Sequence, residues 1–295
     1  MDTFVLLTVT GLALGAMYFL IASGLSLIYG LMGVLNFAHG AFITVGTYAT
    51  WYSESKLDAI GSDPLRFFVA AAICLACGAL LGALVEIVLI RPLYQRHIEQ
   101  ALVTVGLSLA LIALVQGIWG PTEHIYPAPK WLYETTGILG AQIPNDRFVE
   151  IAAAVVVLGG LMAFLRYTRY GLIIRAGVEN RAMVTALGID VKKAFTLVFA
   201  IGGTAAALAG VLAGVYFGSV DPQQGTSLLI FAFIVTVIGG LGSILGSAVA
   251  SVAVGLIQQY ANYYASSGTG DLAVVLLLAV ILLARPAGLA PKVAH

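Results

Sequence analysis

Long apolar stretches separated by short polar segments run along almost the whole chain. Because about 20 residues of helix span a bilayer, the stretches predict nine transmembrane helices, with eight or ten as alternatives. Residues 3–52 and 226–260 are each long enough for two spans, with breaks predicted near residues 30–33 and within IGGLGSILG, residues 238–246. The remaining predicted spans cover residues 67–90, 100–119, 148–166, 194–218 and 271–285.

Composition supports the same class of protein. Hydrophobic residues make up 60% and charged residues 9% of the 295 residues, and the mean hydropathy is +1.01. Soluble domains carry roughly 25% charged residues. We therefore expect an all-α, polytopic transmembrane helical bundle in which residues 1–295 form a single transmembrane domain. The apolar run after the N-terminus lacks a basic flank and is too long for a signal peptide, so we expect it to remain as the first span.

The formal net charge is 0, so the chain presents no basic surface suited to nucleic acid. Ten of the 14 lysines and arginines fall in one set of loops, which the positive-inside rule assigns to the cytoplasm. Nine spans then place the N-terminus outside and the C-terminus inside. The ten residues are Arg91, Arg96, Arg166, Arg169, Arg175, Arg181, Lys192, Lys193, Arg285 and Lys292.

One predicted cytoplasmic loop, residues 167–193, contains its own helical segment. Its middle, ENRAMVTAL, consists mostly of helix formers, and Gly188 follows directly, where a glycine ends many helices. The pattern predicts a short cytoplasmic helix between two spans.

The segment YGLMGVLNFAHGAF, residues 29–42, brings polar residues and glycines into the first apolar stretch. If residues 33–51 form one helix, the polar and small residues share a face. That face consists of Gly33, Asn36, Gly40, Thr44, Thr47 and Trp51, with His39 at its edge. The opposite face, suited to lipid or to apolar neighbours, consists of Val34, Leu35, Ala38, Phe42, Val45 and Ala49.

Two interpretations of the polar face stay open, because polar groups at membrane depth need protein partners or water. The face either packs against another helix or also borders a solute path. The second interpretation assigns to the path Asn36, His39, Gly40 and Thr44. His39 has no second ligand or base at helical spacing, so it supports neither a metal site nor catalysis.

Glycine spacing also predicts internal symmetry and close packing. GLMGVL (30–35) and GGLGSIL (239–245) each place two glycines three residues apart, which suggests an inverted repeat of the kind found in transporters. Small residues at every fourth position of the sixth span predict a ridge for close helix contact. The ridge consists of Gly202, Ala206, Gly210, Gly214 and Gly218.

Few chemical groups interrupt the spans. Glu86 precedes Arg91 near a predicted cytoplasmic end, which favours placement at the membrane interface or pairing with a basic group over a proton site. Cys74 and Cys77 lie in an apolar run and are interpreted as small residues, because redox or metal chemistry needs a pocket or further ligands.

The chain lacks GxxxxGK[ST], HExxH and any serine–histidine arrangement, and no predicted span centre holds a carboxylate pair or an arginine. We therefore expect no enzymatic activity, cofactor or metal. Three hypotheses compete: a permease driven by a separate ATPase, an ion-coupled secondary transporter and a channel for small polar solutes. The second depends on His39 and Glu86 as titratable groups, and composition alone does not exclude the third.

Four segments resemble LivH-type permeases, the membrane subunits of branched-chain amino acid ABC importers. Two are short, IVLIRPLYQR (87–96) and LLARPAGL (282–289). The others are YGLMGVLNFAHGAFITVGTYAT (29–50) and IIRAGVENRAMVTALGIDVKKAFTLVFAIGGTAAALAGVLAG (173–214). The resemblance runs over nearly the whole chain and implies a multi-pass protein of the cell inner membrane. It also implies a heterodimer with a second permease, two cytoplasmic ATPases and an external solute-binding protein.

The resemblance further implies that the predicted cytoplasmic helix docks in a groove of the ATPase. The implied contact region runs from Arg175 to Gly188 and includes Glu179 and Ala182. This chain has ENRA where the wider importer pattern has EAA followed by glycine. Leucine, isoleucine and valine are the expected solutes, with other amino acids, urea and short amides as alternatives, because external binding proteins set much of the selectivity.

Overall fold

The computed structural model describes residues 2–57, 61–179, 184, 188 and 190–290. Within them, the helices are α1 (Asp2–Met32), α2 (His39–Lys56), α3 (Asp63–Val85), α4 (His97–Trp119), α5 (Lys130–Tyr133), α6 (Asn145–Tyr167), α7 (Arg169–Glu179), α8 (Val191–Phe217), α9 (Gln224–Gly239), α10 (Ile244–Tyr264) and α11 (Thr269–Ala284). A π-helical segment, Glu86–Ile90, and a 3-10 turn, Arg91–Leu93, extend α3. The strands β1 (His124–Ile125), β2 (Thr135–Ile138), β3 (Ala141–Pro144) and β4 (Ser219–Val220) form two antiparallel ribbons, β1–β4 and β2–β3.

Six helices, α1, α3, α4, α6, α8 and α10, are long and apolar enough to cross a membrane, and α9 and α11 are shorter apolar helices. With the 18-residue α2, these helices account for all nine predicted spans within the described residues. Both predicted breaks are confirmed. Gly33 has a φ of 66° between α1 and α2, and Gly240 and Gly242 have φ values of 99° and 83° between α9 and α10, where glycine is the favoured residue.

The two ends of the described chain lie on opposite faces of the bundle. Asp2 lies beside Gly140 in the loop that carries β2 and β3. The backbone N–H of Leu289 donates to the Ile238 carbonyl at the far end of α9, 2.8 Å away. Opposite ends are what nine spans require. The outward placement of the N-terminal end of α1 stays a prediction from the distribution of basic residues.

Two helices, α2 and α9, begin inside the bundle rather than at its surface. The first residue of α2, His39, contacts Ile21, which lies about 16 Å before the end of α1 at 1.5 Å per residue. Residues 33–38, which span at most about 20 Å when extended, carry the chain back to that depth. Residues 218–223 do the same from the opposite face, because Gly225 of α9 packs on Gly40 of α2.

Helices α2 and α9 are called broken helices here, because each begins inside the bundle after an extended segment that crosses the rest of the membrane depth. They belong to an inverted repeat. Helices α1, α2 and α3 correspond to α8, α9 and α10, and in each trio a long helix leads through an extended segment into a broken helix. The long helices also pack alike, with α1 antiparallel to α10 and α8 antiparallel to α3. The repeat was predicted, but its alignment was wrong. Segments 30–35 and 239–245 are not equivalent; they touch, because Gly30 packs directly on Gly242.

Glycines allow the long helices to approach backbone to backbone. A Cβ on Gly203 of α8 would lie 2.2 Å from the Gly78 carbonyl oxygen in α3, and one on Gly255 of α10 would lie 2.4 Å from the Gly11 oxygen in α1. Both separations are too short for any side chain. Since lipid supplies no hydrophobic force between helices, this close packing provides much of the association energy.

The ridge predicted along α8 is confirmed over most of its length. A Cβ on Gly210 would lie 2.4 Å from the Ile43 carbonyl oxygen in α2, and one on Gly214 would meet the ring of Tyr126. Burial raises the pKa of Tyr126 well above its usual value, so the phenol that covers Gly214 stays neutral. The prediction was wrong at Gly218, which has no neighbour within 4 Å of an added Cβ and ends α8 with a φ of 68°.

Both cysteines are free thiols. Cys74 is buried, and its Sγ donates to the Gly46 carbonyl oxygen of α2 at 3.1 Å, whereas Cys77 is exposed. Cys74 therefore acts as a small residue in the contact between α3 and α2, in agreement with the interpretation of the CxxC pair.

The ridge makes a testable prediction about Gly210. Replacing it with leucine is expected to destabilise the bundle by about 1–3 kcal/mol or more, because the side chain separates α8 from α2. The matched control is Gly159→Leu in α6, where nothing lies within 4 Å of an added Cβ. The measurement is the thermal unfolding midpoint in detergent, with monodispersity by size-exclusion chromatography. Equal stability of the two variants would show that α8 and α2 do not need this close approach.

Candidate functional site

Asn36 precedes the broken helix α2 and shapes its start. Its Oδ1 accepts a hydrogen bond from the Ala38 backbone N–H at 3.1 Å, and its carbonyl oxygen accepts one from the His39 N–H at 3.2 Å. The helix begins at His39, so the predicted single helix over residues 33–51 was wrong. Asn36 therefore belongs to residues 33–38, the approach segment of α2. It does not share a helical face with Gly40 and Thr44.

His39 joins the start of α2 to the middle of α1. Its Nε2 lies 3.1 Å from the Ile21 carbonyl oxygen, and its ring fills the space that Gly24 leaves open, 2.7 Å from where a Cβ would be. With the proton on Nε2, the ring donates to that oxygen. His39 is fully buried, and its Nδ1 has no partner. Across the described residues, no group of three or more His, Cys, Asp or Glu side chains is placed to hold a metal ion.

Gly40 and Thr44 join α2 to the start of α9. A Cβ on Gly225 would lie 2.1 Å from the Gly40 carbonyl oxygen, so the two backbones touch. Thr44 is 1% exposed and donates from Oγ1 to the Pro222 carbonyl oxygen at 3.3 Å. The opposite face of α2 is also enclosed, since Phe42 is buried in the core. Of the two predicted surroundings for this face, lipid or apolar neighbours, the structure confirms apolar neighbours at Phe42, because α2 lies inside the bundle.

A cavity of about 240 Å³, the mid-membrane cavity, lies between the approach segment of α2 and one face of α9. Of the four predicted path residues, it is lined by Asn36, which is 1% exposed and whose Nδ2 has no hydrogen-bond partner. The other seven lining residues are apolar: Leu25, Leu35, Phe37, Leu229, Ile230, Phe233 and Ile234.

A second cavity of about 500 Å³, the outer cavity, lies on the other face of α9 and contains Glu123 and Asp221. Its floor holds a hydrogen-bonded chain: the Tyr18 hydroxyl donates to Gln258 Oε1 at 2.8 Å, and Gln258 Nε2 donates to Asp271 Oδ1 at 2.7 Å. Sequence reasoning missed this cavity, because its walls come from helices far apart in sequence. The available signal was Gln258, a polar side chain within an apolar span.

The cytoplasmic loop contains α7, which shares only residues 175–179 with the helix predicted from Arg175 to Gly188. Of the predicted helical core ENRAMVTAL, only Glu179 and Val184 lie within the described residues. Thr168 precedes this helix, and its Oγ1 accepts a hydrogen bond from the Gly171 N–H at 3.0 Å. Arg175 is exposed. Glu179 is the last residue of α7, Ala182 lies outside the described residues, and Gly188 is exposed in a turn with a φ of 77°.

The same loop packs on the end of α1. Three buried side chains, Val184, Val191 and Phe195, form a cluster that is completed by Met32, Tyr94 and Ala176. Met32 is the last residue of α1 and directly precedes the extended segment that leads to Asn36. The cluster therefore joins the loop to the end of α1, next to the segment that leads to α2.

Glu86 links the cytoplasmic ends of α3 and α8. It is fully buried and forms an ion pair with Arg91 at 2.8 Å, which confirms the predicted pairing. The hydroxyls of Thr196 and Tyr94 also donate to its carboxylate, the former at 2.7 Å. The network coincides with the π-helical segment, a geometry that is frequent at functional sites.

Comparison with known proteins identifies the family of the chain independently of its structure. The family described as "Branched-chain amino acid transport system / permease component" matches residues 7–285. The chain is 30% identical to the LivH high-affinity branched-chain amino acid transport system permease protein of Salmonella typhimurium, over 95% of this chain and 92% of that protein. It is also 30% identical to BraD of Pseudomonas aeruginosa over 95% and 94%, and 26% identical to a probable LivH of Methanocaldococcus jannaschii over 90% and 86%. No solved structure matches the chain.

The Glu86 network generates a prediction about stability. Glu86→Ala leaves the Arg91 guanidinium without its carboxylate, and we expect a loss of about 2 kcal/mol, below the range for fully buried pairs because Arg91 is partly exposed. The control is Glu99→Ala, which breaks an exposed pair with Arg96 at 3.6 Å and is expected to cost about 0.5 kcal/mol or less. Unfolding midpoints in detergent compare the two. A Glu86 variant as stable as the control would contradict a role in joining α3 to α8.

Proposed function

Because the chain belongs to the family of branched-chain amino acid transport permease components, we propose that it is the membrane subunit of an ATP-driven importer. The importer moves leucine, isoleucine and valine across the cell inner membrane into the cytoplasm. ATP hydrolysis takes place on separate subunits, and this chain supplies the solute path and the contact through which the ATPases act on it.

The observation that carries this proposal is the meeting of α2 and α9 at Gly40 and Gly225. Broken helices that meet at the bilayer midplane are typical of solute sites in transporters, where the two halves of an inverted repeat move relative to each other. Irregular backbone at membrane depth also needs protein or water around it. Residues 33–38 and 218–223 obtain this cover from the neighbouring helices, and a change in the α2–α9 contact alters which groups are covered.

Asn36, His39, Gly40 and Thr44 border the solute path in this proposal. Asn36 already lines the mid-membrane cavity. Gly40 and Thr44 hold the α2–α9 contact, so they become path-facing when α9 moves away from α2. His39 keeps the start of α2 fixed to α1 during that movement.

The partners are a second permease, two cytoplasmic ATPases and an external solute-binding protein. The binding protein delivers solute to the outward face, where the outer cavity with Glu123, Asp221 and Asp271 receives it. We assign the ATPase contact to the cytoplasmic loop at Arg175, Glu179, Ala182 and Gly188. Force on this loop reaches Met32 through Ala176 and Val184.

The ion-coupled alternative loses support from the positions of its two titratable groups. Glu86 is committed to Arg91, Tyr94 and Thr196, and His39 fills a groove of α1. Neither lines the mid-membrane or the outer cavity.

The importer function is tested with the chain reconstituted in lipid vesicles with its co-purified ATPases and binding protein. We expect ATP-dependent accumulation of radiolabelled L-leucine, and hydrolysis that the binding protein stimulates. Glu179→Arg and Ala182→Trp are expected to lower uptake about tenfold per ATP hydrolysed, because they disturb the docking contact. The control is Glu134→Arg, an exposed charge reversal on the outward face. Normal coupling in both loop variants would contradict the assignment of the ATPase contact, and accumulation without ATP would contradict the importer.

The path assignment predicts different effects of two changes at Asn36. Asn36→Leu removes both the acceptor for Ala38 N–H and the free amide, and we expect uptake to fall about tenfold while assembly falls less. Asn36→Ser keeps a short acceptor for the turn and loses the amide, so it is expected to assemble normally and still transport poorly. Uptake rates per assembled complex measure both. If Asn36→Ser transports normally, the residue serves only to begin α2.

A further inference from the structure

We infer that the mid-membrane cavity is the pocket that receives the branched aliphatic side chain and the carboxylate of the amino acid in transit. The inference rests on the proposed importer function and names the site at which this permease itself binds its solute. The external binding protein and the outer cavity act before this step.

The size and walls of the cavity suit a small aliphatic group. Its volume of about 240 Å³ lies below the roughly 300–1,000 Å³ typical of pockets for drug-sized ligands. Seven of its eight lining residues are apolar, and Phe37 and Phe233 stack on each other with ring centroids 6.5 Å apart. Such a wall favours a branched hydrocarbon chain, and it would leave most hydroxyls of a sugar facing carbon atoms.

The single polar residue of the lining explains why the occupant needs a hydrogen-bond acceptor. Asn36 Oδ1 is committed to the Ala38 N–H, whereas Nδ2 has no partner although the residue is 1% exposed. A buried unpaired amide costs several kcal/mol in an apolar setting. A lipid acyl chain fills the apolar walls and leaves Nδ2 unpaired, whereas a carboxylate oxygen satisfies it.

The position of the cavity agrees with a transit site. It lies beside the start of α2, near the middle of α1, and on the face of α9 opposite the outer cavity. Helix α9 therefore separates a polar compartment open to the outward face from an apolar compartment at mid-depth. Ile230, 58% exposed, marks where the inner compartment reaches the surface of the chain.

The pocket is tested by photo-crosslinking with a diazirine analogue of leucine. The importer, complete with ATPases and binding protein in lipid vesicles, is illuminated during turnover and digested for mass spectrometry. We expect labelled peptides from residues 35–37 and 229–234, labelling that excess L-leucine suppresses, and no suppression by L-serine. Labelling confined to the outer cavity, or insensitive to L-leucine as adventitious or lipid-like binding would be, would overturn the inference.

Two substitutions fill the cavity from opposite walls, Leu35→Phe and Phe233→Trp. Each is expected to reduce labelling of the pocket peptides about tenfold, within the range by which one added group changes occupancy of an apolar site. The control Val249→Trp adds more bulk than either change, but at an exposed position of α10, and is expected to label normally. Unchanged labelling in both filled variants would overturn the pocket assignment, and the wild-type labelling map decides the question if either variant fails to assemble.

The design separates this inference from the importer function. ATP-dependent uptake of L-leucine with crosslinks outside the pocket overturns the pocket and leaves the importer standing. Absence of ATP-dependent uptake in the complete, assembled complex overturns the proposed function, and the pocket falls with it.

Discussion

In a bilayer, every backbone N–H and C=O must find a partner inside the protein, and this constraint governs the rest of the structure. Unbroken helices meet it without help. The extended segments that lead into α2 and α9 do not, so they take partners from elsewhere in the chain: the Phe37 N–H donates to Thr104 Oγ1 of α4 at 3.2 Å, and Ser219 and Val220 pair with β1. Asn36 supplies one of the missing acceptors, and the fold therefore needs a polar residue at a depth where composition alone would favour leucine.

Enclosing broken helices requires their neighbours to come very close, which explains the glycines. Gly40 of α2 touches Gly225 of α9. Glycines also allow α3 to pack closely on α8, and α1 on α10, so that the long helices of the two repeats pack directly on each other. The packing is rigid where backbones touch and looser at the mid-membrane cavity, where side chains leave a gap. A permease needs this combination, because one contact must change while the surrounding bundle keeps the bilayer sealed.

The cytoplasmic loop packs on the last residue of α1, and this contact gives the loop its role in the proposed importer. Met32 contacts the cluster built on Phe195 and Val184, and seven residues later the chain reaches the start of α2. Glu86 and its hydrogen-bonded partners hold α3 and α8 together at the same level. In the proposed importer, α3 and α8 therefore stay fixed to each other when the ATPase displaces the loop. The displacement is transmitted through the end of α1 to the start of α2.

The spans, their breaks, the sidedness of the charges and the ridge on α8 followed from the sequence alone, because hydropathy, glycine and charge act locally along the chain. Asn36 was selected for the same reason: a polar side chain among apolar neighbours stands out at once. Only the tertiary structure decided that α2 begins at His39, that apolar side chains rather than lipid cover Phe42, and which segments the inverted repeat relates. Those outcomes depend on Gly225, Gly242 and Ile21, residues distant in sequence that satisfy or exclude groups across the bundle, and no pattern within one helix carries that information.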